Sequence, residues 1–215
     1  MPASCIPINR ISSASSAIIQ DMKELSNIGL ALMAYFYFDF KDTGKQDARA
    51  LLSSLIIQLS DQSDPCCDAL FSLYSRHKRG SEQPTIDSLM LCLENMLTAI
   101  GSLPIYLVVD ALDECPDYPG IPSPREKVLG LVGELVDFRH PNLRLCITSR
   151  LEFDIRIALR PLATQQVSLH DESGQKQDII DYVTFVVRSD KRMKGWRDEE
   201  KDMIIEKLTE KVDGM

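Results

Sequence analysis

"PIYLVVDALDEC", residues Pro104 to Cys115, joins an unbroken apolar run to three carboxylates, Asp110, Asp113 and Glu114. A strand with one wet face would alternate apolar and polar residues, so the run predicts a strand buried on both faces, as in a parallel sheet. The acidic half then falls at that strand's carboxyl end, where open α/β sheets bind ligands. A carboxylate there can hold Mg²⁺, and a second can polarise an attacking water.

The flanking sequence fits such a sheet. Residues 30–40, "LALMAYFYFDF", are rich in strand formers and predict a buried strand. A third buried strand is expected at "NLRLCITSR" (142–150) and a last short one at "QQVSLH" (165–170). Between and around them, helical spacing or punctuation predicts helices over 13–27, 45–62, 66–80, 85–101, 125–139, 153–161, 177–190 and 197–214. "DYPGIPSP" (117–124), with three prolines and a glycine, predicts an irregular loop beside the acidic cluster. Alternating strand and helix give an α/β fold, a parallel sheet with helices on both faces.

Composition narrows the function. The chain has 215 residues, 44% hydrophobic and 26% charged, and a formal net charge of −8 with its cations scattered. That balance gives no electrostatic grip on a nucleic-acid backbone. Six cysteines, at 5, 66, 67, 92, 115 and 146, show no CxxC spacing, and His77, His140 and His170 stand apart, so neither a zinc site nor a disulfide framework is expected. The apolar stretch Gly29–Phe38 is far short of the roughly 20 residues of a membrane span. The N-terminus lacks a hydrophobic segment of signal-peptide type. A cytoplasmic protein is the expectation.

Two strand ends carry the chemistry: Asp110 followed by "ALDE", and "LRLCI" followed by Thr148, Ser149 and Arg150. A nucleotide-hydrolysing site needs a metal-organising Asp, an acidic residue near the attacking water and a cationic sensor at the terminal phosphate. Asp110 fits the metal role, Asp113 or Glu114 the catalytic role, and Thr148, Ser149 and Arg150 the phosphate contacts. The bland alternative is that Asp110 caps a helix and Arg150 pairs with Glu152 or Asp154.

"YLVVDALDECP" (106–116) with "LRLCITSR" (143–150) resembles the Walker B and sensor 1 segments of the NACHT branch of signal-transducing (STAND) P-loop NTPases. Together with "AYFYFDFKDTGKQDARALLSSLIIQLS" (34–60), "LCITSRLEFDI" (145–155) and "DIIDYV" (178–183), they are similar, over about residues 14–215, to the nephrocystin-3-like N-terminal module of fungal proteins, where it often precedes ankyrin or WD40 repeats. The resemblance implies a P-loop NTPase-like sheet and an ATP- or GTP-dependent, Mg²⁺-requiring switch in signal transduction. It implies an α/β core over 13–172 after a divergent segment 1–12, then helices over 173–215 that begin a following region. Its partners would be other NACHT modules or a repeat domain, with no nucleic acid and no membrane.

The same resemblance calls for a phosphate-binding loop, GxxxxGK[ST], just before the first helix. In that pattern glycines let backbone N–H groups surround the phosphates and the hydroxyl ligates Mg²⁺. Here Arg10 stands where the glycine belongs, Ile11 where the lysine belongs, and only Ser12 matches, as a nucleotide and metal ligand. The catalytic half of the site is thus written and the gripping half is not. A degenerate switch acting by contacts is the first reading, an active ATPase or GTPase with an unconventional loop the second, and a non-nucleotide scaffold the third. The implied strand order is fifth, first, fourth, third, second. Pro7 cannot donate to a central ladder, so the first strand is expected to be incomplete, leaving one edge of "LRLCITS" unpaired and "QQVSLH" poorly anchored.

Overall fold

The computed structural model describes residues 10–118, 122–167, 173–189, 193 and 195–210. The fold is α/β, with three parallel strands, β1 (Leu32–Tyr37), β2 (Ile105–Asp110) and β3 (Leu143–Ile147), in the order β1-β2-β3. β2 is central and buried along its length except for the half-buried Tyr106, as its unbroken apolar run required. This order matches the run of second, third and fourth strands in the expected sheet.

Helix α1 (Arg10–Asn27) covers one face, where Ile19 is buried with Met33 and Val108, and Met22, Tyr35, Tyr106 and Cys146 pack around them. The alternate strand residues, Leu32, Ala34, Phe36, Ile105, Leu107 and Val109, enter the main core. They meet Leu51, Leu52, Leu55 and Leu59 of α2 (Ala48–Ser60), Leu93 and Leu97 of α4 (Ile86–Ala99) and Val128 and Leu135 of α5 (Pro124–Asp137). Helices therefore lie on both faces. Helix α3 (Asp64–Arg76) adds Cys66 and Leu73 to the same core.

Local chemistry sets the helix ends. The Asp47 carboxylate accepts the Ala50 N–H at 2.8 Å, and Ser123 and Glu126 form a capping box ahead of α5, with Pro124 in the first turn. After α3 the chain passes through three successive left-handed residues, Lys78, Arg79 and Gly80. A Cβ at Gly80 would lie 3.0 Å from the Tyr74 ring, so the third position is held to glycine by contact as well as by φ.

Three expectations need correction. The first helix starts at Arg10, not 13, because Arg, Ile and Ser extend a helix at small cost and no cap is needed at Ser13. β1 is shorter than 30–40: Leu30 is exposed, and beyond Phe38 the Asp39 and Asp42 side chains turn the chain by accepting the Lys41 and Gly44 N–H groups. Gln165–Val167 form no strand, being exposed polar chain with a single apolar residue, while the rest of that segment, 168–170, lies outside the described residues. The segment before α1, where the incomplete first strand was expected, lies outside them too.

Residues 7–163 form one compact unit. Helix α6 (Phe153–Leu159) closes it. Helices α7 (Ser173–Ser189) and α8 (Asp198–Glu210) belong to a second unit, in which Arg188 pairs with Asp202 at 2.8 Å.

Candidate functional site at the carboxyl end of the sheet

Asp110 ends β2 with its side chain on the α1 face, two residues beyond Val108. It is 2% exposed, and its carboxylate accepts the Thr148 hydroxyl from the end of β3. Nearby Tyr37 has its phenol pKa raised, first by burial and then by the Asp110 charge. Burying a polar group without a partner costs several kcal/mol, and this hydrogen bond offsets part of that cost for Asp110.

Ala111 then takes the left-handed conformation, φ 54° and ψ 46°, and bends the chain sharply off the sheet. A non-glycine residue there costs about 1–2 kcal/mol. Thr148 offsets that cost by accepting the Ala111 N–H at 3.2 Å on its hydroxyl and the Leu112 N–H at 3.0 Å on its carbonyl, while Leu112 drops into the core. The bend sends Asp113 and Glu114, in a 3₁₀ turn over Leu112–Glu114, away from Asp110 and into a cleft of about 320 Å³ with Phe40, Arg125, Arg150 and Glu152.

Within the cleft both carboxylates of the acidic turn and both arginines have protein partners. The Asp113 carboxylate accepts the Arg150 N–H at 2.9 Å and pairs with Arg150 Nε at 3.4 Å. The Asp113 side chain is 9% exposed and that of Arg150 74%, so Arg150 pairs with Asp113 and not with Glu152 or Asp154, and it does so from the water side. Glu114 accepts the Phe40 N–H at 3.3 Å, tying the acidic turn to the chain leaving β1. The Ser149 hydroxyl turns back onto the Arg150 carbonyl at 2.7 Å.

Arg125, in the first turn of α5, was not singled out by its sequence. Its guanidinium donates to the carbonyls of Asp113 at 2.7 Å and Cys115 at 2.9 Å and to the Asp154 carboxylate at 3.2 Å. Only 11% of its side chain is exposed. One side chain thus pins the acidic turn to α5 and α6, and the only clue to it in the sequence was an arginine directly after a Ser-Pro helix start.

Of the residues expected to form a nucleotide site, the structure gathers Asp113, Glu114 and Arg150 in the cleft. It keeps Asp110 with Thr148 under α1. Ser149 serves its own loop. Ser12 lies in the first turn of α1, and its side chain is outside the description. Mg²⁺ on a nucleotide needs only one or two carboxylates beside phosphate and water, a role that Asp110 suits, but residues 1–28 contain no glycine to let a backbone approach phosphate, so the phosphate-gripping half of such a site does not fit.

No curated protein and no solved structure matches the chain. The family model described as "Nephrocystin 3, N-terminal" matches residues 12–150, from α1 through Arg150, a span that takes in all three strands and every residue of the acidic turn. The chain therefore belongs to the nephrocystin 3 N-terminal family.

Proposed function

We propose that this domain is a NACHT-like cytoplasmic signalling module that works through protein contacts, its acidic turn holding the surface at the carboxyl end of the sheet in one shape. The observation that carries this reading is the engagement of the two carboxylates of the turn by the protein itself: Asp113 by Arg150 and Glu114 by the Phe40 N–H. A group acting on water and phosphate would have to give up these bonds first, each worth about 1.5–3 kcal/mol where a charge is involved. The absence of glycine across residues 1–28 supports the same reading. No described helix is long and apolar enough to cross a membrane. Partners on this reading are other modules of the same kind or a repeat domain.

A second reading, a switch that binds ATP or GTP with Mg²⁺, is favoured by the Asp110–Thr148 pair. It lies on the α1 face at the end of the sheet toward which the amino end of α1 runs, since α1 turns back directly into β1. One experiment separates the two. Phosphate release and nucleotide binding by the purified chain, with Mg²⁺ and ATP or GTP, are compared with those of the Asp110→Ala, Glu114→Ala double variant. The expected outcome is equal background for both proteins. A rate or affinity abolished by the double substitution overturns the first reading in favour of the second.

A further inference from the structure

The two edges of this sheet are treated differently. The outer edge of β1 is sealed by two glutamines, Gln58 on α2 and Gln62 in the turn just past its end. Gln62 accepts the Met33 N–H at 3.0 Å and donates to the Met33 carbonyl at 2.6 Å. Gln58 does the same at Tyr35, at 3.1 and 2.7 Å. Each side-chain amide imitates the peptide of a neighbouring strand. Nothing comparable covers the outer edge of β3 among the described residues.

The ladder defines what that edge offers. Ile105 donates to Asn142 O at 3.0 Å and Thr148 donates to Val109 O at 2.9 Å. In a parallel pair the bonded residues alternate, so Asn142, Arg144, Cys146 and Thr148 turn their peptides to β2, and Leu143, Leu145 and Ile147 turn theirs outward. The outward Leu143 N–H is taken by His140 O and its carbonyl by Arg144 Nη1. Leu145 and Ile147 keep both groups available. β3 holds no proline and no lysine, and its one charged edge residue is Arg144. On the α1 face the edge runs into a groove of about 290 Å³ lined by Ile18, Met22, Tyr106, Val108 and Cys146.

We infer that β3 pairs edge to edge with β3 of a second copy, antiparallel about a two-fold axis at Leu145. The sequence "LRLCI" is self-complementary in that register. Leu145 faces its own counterpart as a hydrogen-bonded pair, its N–H and carbonyl each meeting the other's. Ile147 donates to the counterpart of Leu143, a carbonyl that Arg144 releases, and whose own N–H needs no partner. Arg144 faces the counterpart of Cys146 across a non-hydrogen-bonded pair, on the apolar groove. A two-fold contact needs one surface to fit itself, and this edge does so through both groups of Leu145 and the Ile147 N–H. Five residues a side fall short of the roughly 800 Å² per partner of a standard stable interface, so the association is weak and favoured where copies are concentrated. It does not involve the acidic turn, and either reading can fail without the other.

The register supplies its own test. Residues opposed in a non-hydrogen-bonded pair have Cα atoms about 4.5 Å apart, within the span of a disulfide. In a chain with Cys5 and Cys67 changed to serine, the Arg144→Cys substitution under mild oxidation is expected to yield a linked dimer. Peptide mapping should join position 144 of one chain to Cys146 of the other, and Cys146→Ser should abolish the link. No dimer, or one linked elsewhere, overturns the inference. In the unsubstituted protein, hydrogen exchange at the Leu145 and Ile147 amides should slow as concentration rises. Rates independent of concentration overturn it as well, whatever the variants do.

Discussion

Arg125 and Arg150 illustrate how one side chain type does different work according to burial. Arg125 is nearly enclosed and donates three bonds, two of them to main-chain carbonyls that have no other route to satisfaction in the turn. Arg150 makes its pair from water, where screening and side-chain entropy cancel most of the Coulomb gain. Arg125→Ala should therefore lower stability by about 2–4 kcal/mol, and Arg150→Ala by less than about 1 kcal/mol, in urea titrations of the two variants. The cysteines make a second case. Burial pushes the Cys115 thiol from about 9 to about 12, and Cys92 to about 11. Because the neutral form is favoured in the fold, the unfolded chain loses these protons first as pH rises, so their contribution is whole below pH 9 and is lost between 9 and about 12. Unfolding midpoints should fall across that alkaline window, and Cys115→Ala should flatten the fall. At this scale the sequence was half legible: Asp113, Glu114 and Arg150 were named from strand-end chemistry, but their true partners were not, because a hydrogen bond between residues distant in the chain leaves no periodic trace.

Among the elements, β2 was the most legible, since an apolar run bounded by Pro104 and Asp110 has few other interpretations. The helices followed from spacing, with boundaries off by a few residues where no cap or breaker marked them. What spacing could not reveal is that α2 carries two duties. One face of it fills the core with Leu51, Leu52, Leu55 and Leu59, and its Gln58, with Gln62 just past its end, completes the β1 edge. Both glutamines read as ordinary polar positions in an amphipathic pattern. Replacing either by leucine removes two hydrogen bonds from β1, so Gln58→Leu and Gln62→Leu should each cost about 1–3 kcal/mol. Amide exchange at Met33 and Tyr35 should quicken in the corresponding variant. Unchanged exchange would mean that water serves this edge as well as the glutamines do.

Over the whole molecule, the sheet order and the helices on both faces followed from the alternation of elements together with the family resemblance, whereas the division near residue 163 did not, since Thr164–Val167 differ little from other loops in composition. These four residues are all exposed and outside regular structure. Limited proteolysis should cut there first and leave a fragment ending near Ala163 with the thermal transition of the parent's first unit; loss of that transition would show the units to be interdependent. The pairing of the central strand also sets an order of events during synthesis. Leu32 must find Ile105, and Ile105 must find Leu143. The second closure spans about half the chain of the first, which favours it by only about 0.6 kcal/mol of loop entropy. The ribosome reverses that slight preference, because the aromatic strand Leu32–Tyr37 is made first and must wait, with Tyr35, Phe36 and Tyr37 uncovered, until all of α2, α3 and α4 have emerged. Each nascent chain thus passes through an interval in which its stickiest segment has no strand partner, and in that interval Gln58 and Gln62, emerging soon after it, are the first cover it meets.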